Sequence, residues 1–201
     1  MKFSIIIPAH NSARYIRKAL DSIKAQTFTD YELIVVCDSC TDNTEEIAKE
    51  YGALTAAVEY HADGLTRNHG IEMARGDWVL FMDDDDWWLH EFVLQQLSDK
   101  LNNAIDILCF SFIFRGVKYA NPLGNGGMWH WPACWCKCYK RTAIGSSRFS
   151  DVTDGTADVQ FFQQMFTKGL TIVDWDMPMY YYNYFREGSQ SANGEDWRIY
   201  K

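Results

Sequence analysis

Four consecutive carboxylates, Asp83, Asp84, Asp85 and Asp86, follow without a break on the apolar run Trp78-Val79-Leu80-Phe81-Met82. Side chains of this type at this spacing suit one task above others, the binding of a hard cation. Alternate residues of an extended segment point the same way, so Asp83 and Asp85 can converge on a single ion. Four adjacent carboxylates repel one another unless some stay protonated or a cation offsets them. A solvated acidic turn is the ordinary explanation of such a cluster, but its position argues for more. An unbroken apolar run reads as a strand covered on both faces, as in the middle of a parallel sheet. In open α/β sheets, ligands bind beyond the carboxyl ends of the strands. The acidic run falls at that place, so a metal site is the better reading.

Other elements must put that rim in position. Ser4 to Ile7 reads as a buried first strand stopped by Pro8. From Ser12 to Gln26, Ala13, Ile16, Leu20 and Ile23 recur at helical spacing, with Ser12 as the N-cap. Leu33 to Cys37 is a second apolar strand, and Asp42 with Glu45 has the form of a capping box opening a helix that Gly52 ends. Ala56 to Tyr60 is a weaker third strand, Gly64 to Ala74 a short helix, and the strand from Trp78 follows. This alternation is the signature of an α/β fold with a parallel sheet and right-handed crossovers. Further on, His90 to Leu101 suits a helix, Ile105 to Phe114 a long strand, Trp129 to Tyr139 an extended aromatic segment and Asp158 to Lys168 a helix. The expectation is a single domain over residues 1–201, with a nucleotide-binding half over 1–90 and an acceptor-side half over 91–201.

Composition narrows the function. Apolar residues make up 47% of the 201, enough for a substantial core, and 23% are charged, which excludes wholesale disorder. A net charge of -8 and a pI near 5.0 argue against nucleic-acid binding, which favours a basic face. No stretch approaches the roughly 18 apolar residues of a membrane span, and the apolar stretch near Met1 is too short for a signal peptide. The expected location is the cytoplasm, with peripheral attachment at the inner face of the cell membrane left open. Six cysteines in such a chain read as reduced thiols. Cys37-Asp38-Ser39-Cys40 formally matches a redox motif. Cys134, Cys136 and Cys138 alternate along an expected strand, sharing a face without matching the usual zinc spacings. Both groups are read as structural.

Four segments, in order, resemble the family 2 glycosyltransferases, whose fold is called GT-A. Ser4-Ile5-Ile6-Ile7-Pro8-Ala9-His10-Asn11 looks like that family's first strand and turn. Leu33 to Asp38, followed by Thr41-Asp42, is similar to its second-strand motif. Gly64-Leu65-Thr66-Arg67-Asn68-His69-Gly70 resembles the segment before the fourth strand, and Phe81 to Trp87 its D-x-D motif. The resemblance implies a Rossmann-like, mostly parallel central sheet flanked by helices, with a smaller acceptor-side region. It also implies transfer of a sugar, with inversion, from a nucleoside diphosphate sugar (usually a UDP-sugar) to a glycan or lipid-linked acceptor.

Carried over by position, Pro8 and His10 would line the base pocket and Asp38 would hydrogen-bond the uracil ring. Arg67 would lie near the diphosphate, to which its forked guanidinium is suited. Asp83 and Asp84 would contact the ribose or a metal-bound water, and Asp85 would ligate the metal. An all-oxygen site with bound diphosphate suits Mg²⁺ or Mn²⁺. The family's catalytic base is an Asp at the start of a late helix, commonly after Glu. Here that stretch is Gly155-Thr156-Ala157-Asp158-Val159-Gln160, so Asp158 is the candidate, with Asp151 and Asp154 nearby.

The chain departs from the family at several points. Ala157 replaces the acidic residue before the base, Ser39 and Cys40 replace a glycine and a serine, and His10 stands where Tyr is common. Without the Q-x-x-R-W motif of processive synthases, a single-transfer enzyme is expected. Two other classes compete. A metal-dependent nucleotidyltransferase would need a glycine-rich basic loop that is absent near the first strand. A carbohydrate-binding protein without catalysis would agree with Ala157.

Overall fold

The computed structural model describes residues 1–119, 133–153 and 155–183. Strands β1 (Phe3–Ala9), β2 (Tyr31–Asp38), β3 (Leu54–Val58) and β4 (Trp78–Phe81) alternate with helices α1 (Ile16–Lys24), α2 (Thr44–Glu50) and α3 (Asp63–Met73). Then come β5 (Trp87–Trp88), α4 (Val93–Lys100), β6 (Ile107–Phe114), β7 (Val117–Tyr119), β8 (Lys137–Lys140), α5 (Arg141–Ile144), α6 (Ala157–Phe166) and β9 (Ile172–Tyr182). Among the described residues, nine strands form one sheet in the order β3-β2-β1-β4-β8-β6-β9-β5, with β7 beside β6. β1 to β4 pair in parallel. β8 enters antiparallel between β4 and β6, and β9 lies parallel to β6.

Both faces of the sheet are covered, which is why β1, β2 and β4 are apolar on successive residues. On one side Ile16, Leu20 and Ile23 of α1, Ile47 of α2 and Leu94 and Leu97 of α4 pack on the odd-numbered residues of β1. On the other, Ile71 of α3 and Phe161, Phe162 and Met165 of α6 pack on Ile6, Ile34, Val79 and Phe81. Phe81, the last residue of β4, meets Phe149, Tyr139 and Phe161 edge-on at 5.3, 5.9 and 6.3 Å. That aromatic cluster fixes where α6 begins relative to the end of β4.

Pro8 does not stop β1, which runs on to Ala9. The Ile6 carbonyl accepts from Met82 N, so alternate residues, Pro8 included, turn their backbone polar groups toward β4. That strand ends at Phe81, opposite Ile6. The missing N–H of Pro8 therefore faces a side with no ladder to break, where proline is tolerated. The parting of β1 and β4 opens a notch at the carboxyl end of the sheet.

Two helix starts differ from expectation. α1 begins at Ile16, not at Ser12, and its N-cap Tyr15 makes no side-chain cap; the Ser12 hydroxyl instead donates to Asp84. No capping box forms on α2. Asp42 accepts from Ala13 N and Thr44 N, while Glu45 takes Thr55 Oγ1 and Lys49. Ser12 is drawn to a tertiary partner, whereas Asp42 keeps a local bond to Thr44 and adds a tertiary one to Ala13. The three clustered cysteines do not share a face either. Cys134–Cys136 is a 3₁₀ turn, which sends Cys134 into the α6-side core and Cys136 and Cys138 into the other.

α3 lies against β1 through Gly70, where a Cβ would sit 2.3 Å from Ile6 Cγ2. Gly70→Ala must push the helix outward, at a cost of about 1–3 kcal/mol. For a domain of this size, thermal melts should show the midpoint lowered by roughly 2–12 °C.

Candidate active site

The carboxyl ends of β1, β2 and β3 each turn through a non-glycine residue in the left-handed region: Asn11 (φ 48°), Ser39 (φ 52°) and His61 (φ 52°). Such conformations persist only where surrounding contacts enforce them. Asn11 Oδ1 accepts from Thr41 N at 2.8 Å, and the Asp38 carbonyl accepts from His10 Nδ1 at 2.6 Å. These bonds tie the first two loops together, with Pro8 buried beneath and His10 exposed above.

Asp38 is buried and accepts five hydrogen bonds. Oδ1 takes Tyr60 N at 2.8 Å, His61 N at 3.0 Å and Ser39 Oγ at 3.0 Å. Oδ2 takes Ala62 N at 3.1 Å and Thr66 Oγ1 at 2.9 Å. Burial pushes its carboxyl upward, but the donors from His61, Thr66, Tyr60 and Ser39 outweigh this and hold it below the ordinary carboxylate range. A depressed acid stabilises the fold above its unfolded pKa of about 3.9, and that contribution is lost as pH falls through the folded value. Asp38→Asn, which sets an amide NH₂ against N–H donors, should cost about 1–3 kcal/mol at neutral pH. The gap from wild type should narrow toward pH 3 in paired thermal melts.

The acidic run is a turn rather than an extended segment, closed by Asp86 N donating to Asp83 O at 3.2 Å. Asp83 and Asp85 are half-buried, whereas Asp84 and Asp86 are buried. Asp84 points inward to the Ser12 hydroxyl. Asp86, fully buried, accepts from Tyr180 Oη and Asn183 N, each at 2.7 Å, and burial raises its carboxyl well above the usual range. Tyr180 Oη in turn accepts from Asp83 N at 3.1 Å. Nothing local in the sequence marks Ser12, Asp86 or Tyr180 for these roles, since their partners lie far away along the chain.

Asp83 Oδ1 accepts from Arg67 Nη2 at 2.8 Å, with side chains 25% and 8% exposed. Burial pushes Asp83 up to about 6; Arg67 opposes the shift and the nearby Asp158 charge adds to it. Asp158 lies in the first turn of α6, and its Oδ2 accepts from Cys134 N at 3.0 Å. Arg67 and Asp83, from α3 and the end of β4, thus pair on the rim, with Asp158, at the start of α6, near enough for its charge to act on both. Of the alternative bases, Asp151 is exposed and Asp154 lies outside the described residues.

The aromatic residues divide. Trp88, Trp135 and Tyr180 belong to the core, and Trp135 stacks between Tyr180 and Tyr182 at 4.8 and 4.9 Å. Trp129, Trp131 and the tail from Arg186 to Asn193 lie outside the described residues. All six cysteines are free thiols. Among the described residues, no three His, Cys, Asp or Glu side chains are grouped to hold a metal unaided, and no helix is long and apolar enough to cross a membrane.

A doubly covered sheet with a carboxylate turn at the notch beyond its fourth strand defines the GT-A class of fold. Solved structures agree. Staphylococcus aureus TarS 1–349 in complex with UDP-GlcNAc superposes with a TM-score of 0.82 at 24% identity, covering 96% of this chain and 61% of that one. The mannosyltransferase PcManGT from Pyrobaculum calidifontis, in complex with GDP-Man and Mn²⁺, gives a TM-score of 0.74 at 18% identity over 93% of this chain and 58% of that one. The family model described as Glycosyl transferase family 2 matches residues 4–143, and the chain belongs to that family. The glycosyltransferase GlyA of Streptococcus pneumoniae is 38% identical over 133 residues, 62% of this chain and 19% of that protein. The putative glycosyltransferase EpsH of Bacillus subtilis is 32% identical over 111 residues, 53% of this chain and 32% of that protein. The chain therefore spans 19% and 32% of the length of these two curated relatives.

Proposed function

We propose that this chain transfers a sugar, with inversion, from a nucleoside diphosphate sugar of the UDP class to a hydroxyl of a glycan or lipid-linked acceptor. The observation that carries the reading is the pairing of Arg67 with Asp83 at the end of β4, with Asp158 near enough for its charge to act on both. Residues 1–90 would hold the donor and residues 91–201 the acceptor. Pro8 and His10 line the base side. Because the oxygens of Asp38 already take five protein donors, and a carboxylate offers about four lone-pair sites, Asp38 acts there by fixing the backbone of residues 60–62.

The half-buried pair Asp83 and Asp85 fits a hard cation. Two carboxylates are too few to enclose one, which suits Mg²⁺ or Mn²⁺, ions that keep waters and take substrate phosphate oxygens. Asp83 and Asp85 would hold such an ion, which would supply Lewis-acid neutralisation of the departing diphosphate. Arg67 offers guanidinium donors to the same phosphates. Asp158 accepts the proton of the attacking hydroxyl, its carboxylate held by the Cys134 amide. The TarS and PcManGT complexes, with UDP-GlcNAc and with GDP-Man and Mn²⁺, support a nucleotide-sugar donor.

A thermal-shift panel of nucleotide-sugars, with and without Mn²⁺, tests the reading. A donor at a hundred times its Kd adds about 2.7 kcal/mol of apparent stability, or roughly 5–10 °C. UDP-sugars with Mn²⁺ should give that shift. A flat response to every donor would sink the proposal.

A further inference from the structure

We infer that Arg67 is the resident counter-cation of the acidic turn, holding Asp83 when no divalent ion is bound and moving to the diphosphate when one arrives. The inference rests on the reading of Asp83 and Asp85 as metal ligands and adds a competition that reading does not contain. Arg67 and a metal ion would use the same carboxylate, since Arg67 Nη2 is 2.8 Å from Asp83 Oδ1.

The pair is one-pronged. Arginine and carboxylate commonly meet through two parallel hydrogen bonds, yet Arg67 Nε is buried with no hydrogen-bond partner among the described residues. A buried donor left unmade is unfavourable, so the guanidinium is not in its best arrangement with Asp83 alone. It keeps donor capacity for a second anion. The face of Phe149, 5.8 Å from the guanidinium carbon, gives it an apolar wall to slide along.

The backbone beneath Arg67 is fixed, so any movement belongs to the side chain. Asn68 is held at both ends by Phe149, its Nδ2 donating to Phe149 O and its Oδ1 accepting from Phe149 N, each at 2.9 Å. Gly64 lies so close to the Ser150 carbonyl that a Cβ would sit 2.1 Å from it, and Gly70 abuts Ile6. The Asp158 charge adds to the burial that disfavours the Asp83 anion, so a rim without a metal calls for a cation. Arg67 provides it. When a divalent ion takes Asp83, two cations face each other across one carboxylate, and the phosphates offer Arg67 a forked anion in exchange.

The test is Mn²⁺ binding by the full chain at pH 8, followed by the electron paramagnetic resonance of free Mn²⁺, with and without UDP. Without UDP, Arg67→Gln should bind Mn²⁺ about tenfold more tightly than wild type, the equivalent of one lost charge-assisted competitor. With UDP present that gain should vanish or reverse, because Arg67 then has the diphosphate. Arg67→Lys keeps the charge but not the fork; it should show part of the gain and serves if the Gln variant does not fold. Mn²⁺ affinity without UDP that is unchanged or weaker in both variants overturns the inference, while leaving the metal site standing if wild type binds Mn²⁺ with UDP. Wild type that takes no Mn²⁺ even with UDP overturns the metal reading and this inference together.

Discussion

Asp85→Asn is expected to lower sugar transfer by about 10²–10⁴-fold, the loss of several kcal/mol of Lewis-acid stabilisation at about 1.4 kcal/mol per tenfold. The amide is nearly isosteric, and Asp85 is half-buried. The hydrogen bond from Asn183 Nδ2 to the Asp85 carbonyl at 3.2 Å uses the backbone and survives. Whether the variant stays folded is read from its melting midpoint. Turnover of a UDP-sugar with Mn²⁺, beside a thermal melt, measures both. Normal turnover in a folded Asp85→Asn protein removes the metal role.

Asp158→Asn should separate binding from chemistry. The amide oxygen can still accept from Cys134 N, so the 3₁₀ turn keeps its anchor. Removing the charge also relieves one cause of the upward push on Asp83, so binding of UDP and metal is retained or improved. Transfer should fall by about 10²–10⁴-fold, the usual contribution of a positioned general base. Titration calorimetry with UDP and a turnover assay check the two halves of the expectation. Unchanged turnover would move the base to another carboxylate.

The sequence makes the first half of the fold readable because its strands are covered on both faces, and unbroken apolar runs such as Leu33 to Cys37 record that directly. The rim is readable for the same reason, since the aspartates begin where the run ends. The acidic turn and its neighbours are less so. Ser12 has the right residue type for a helix cap, but Asp84, 72 positions away, takes its hydroxyl. Asp42 and Glu45 have capping-box spacing, yet both side chains serve tertiary partners. Asp38 reads as a free acceptor until the chain brings residues 60–62 across it. Alternation of Cys134, Cys136 and Cys138 suggests a strand, and a tight turn produces the same spacing with a different outcome. For Ser12, Glu45 and Asp38 the residue type is right, and a partner elsewhere along the chain decides the role.

The hydrogen bonds that Asp86 and Asp83 share with Tyr180 join positions 94 and 97 residues apart. The Asp83 amide cannot exchange its proton with solvent without Tyr180 of β9 letting go, and β9 lies along the length of β6. The rim is thus tied into the β6–β9 part of the sheet rather than standing as a separate surface loop. The arrangement of its carboxylates therefore depends on that pairing, so substitutions remote from the rim that weaken the β6–β9 contact will loosen the turn as surely as changes to the aspartates themselves.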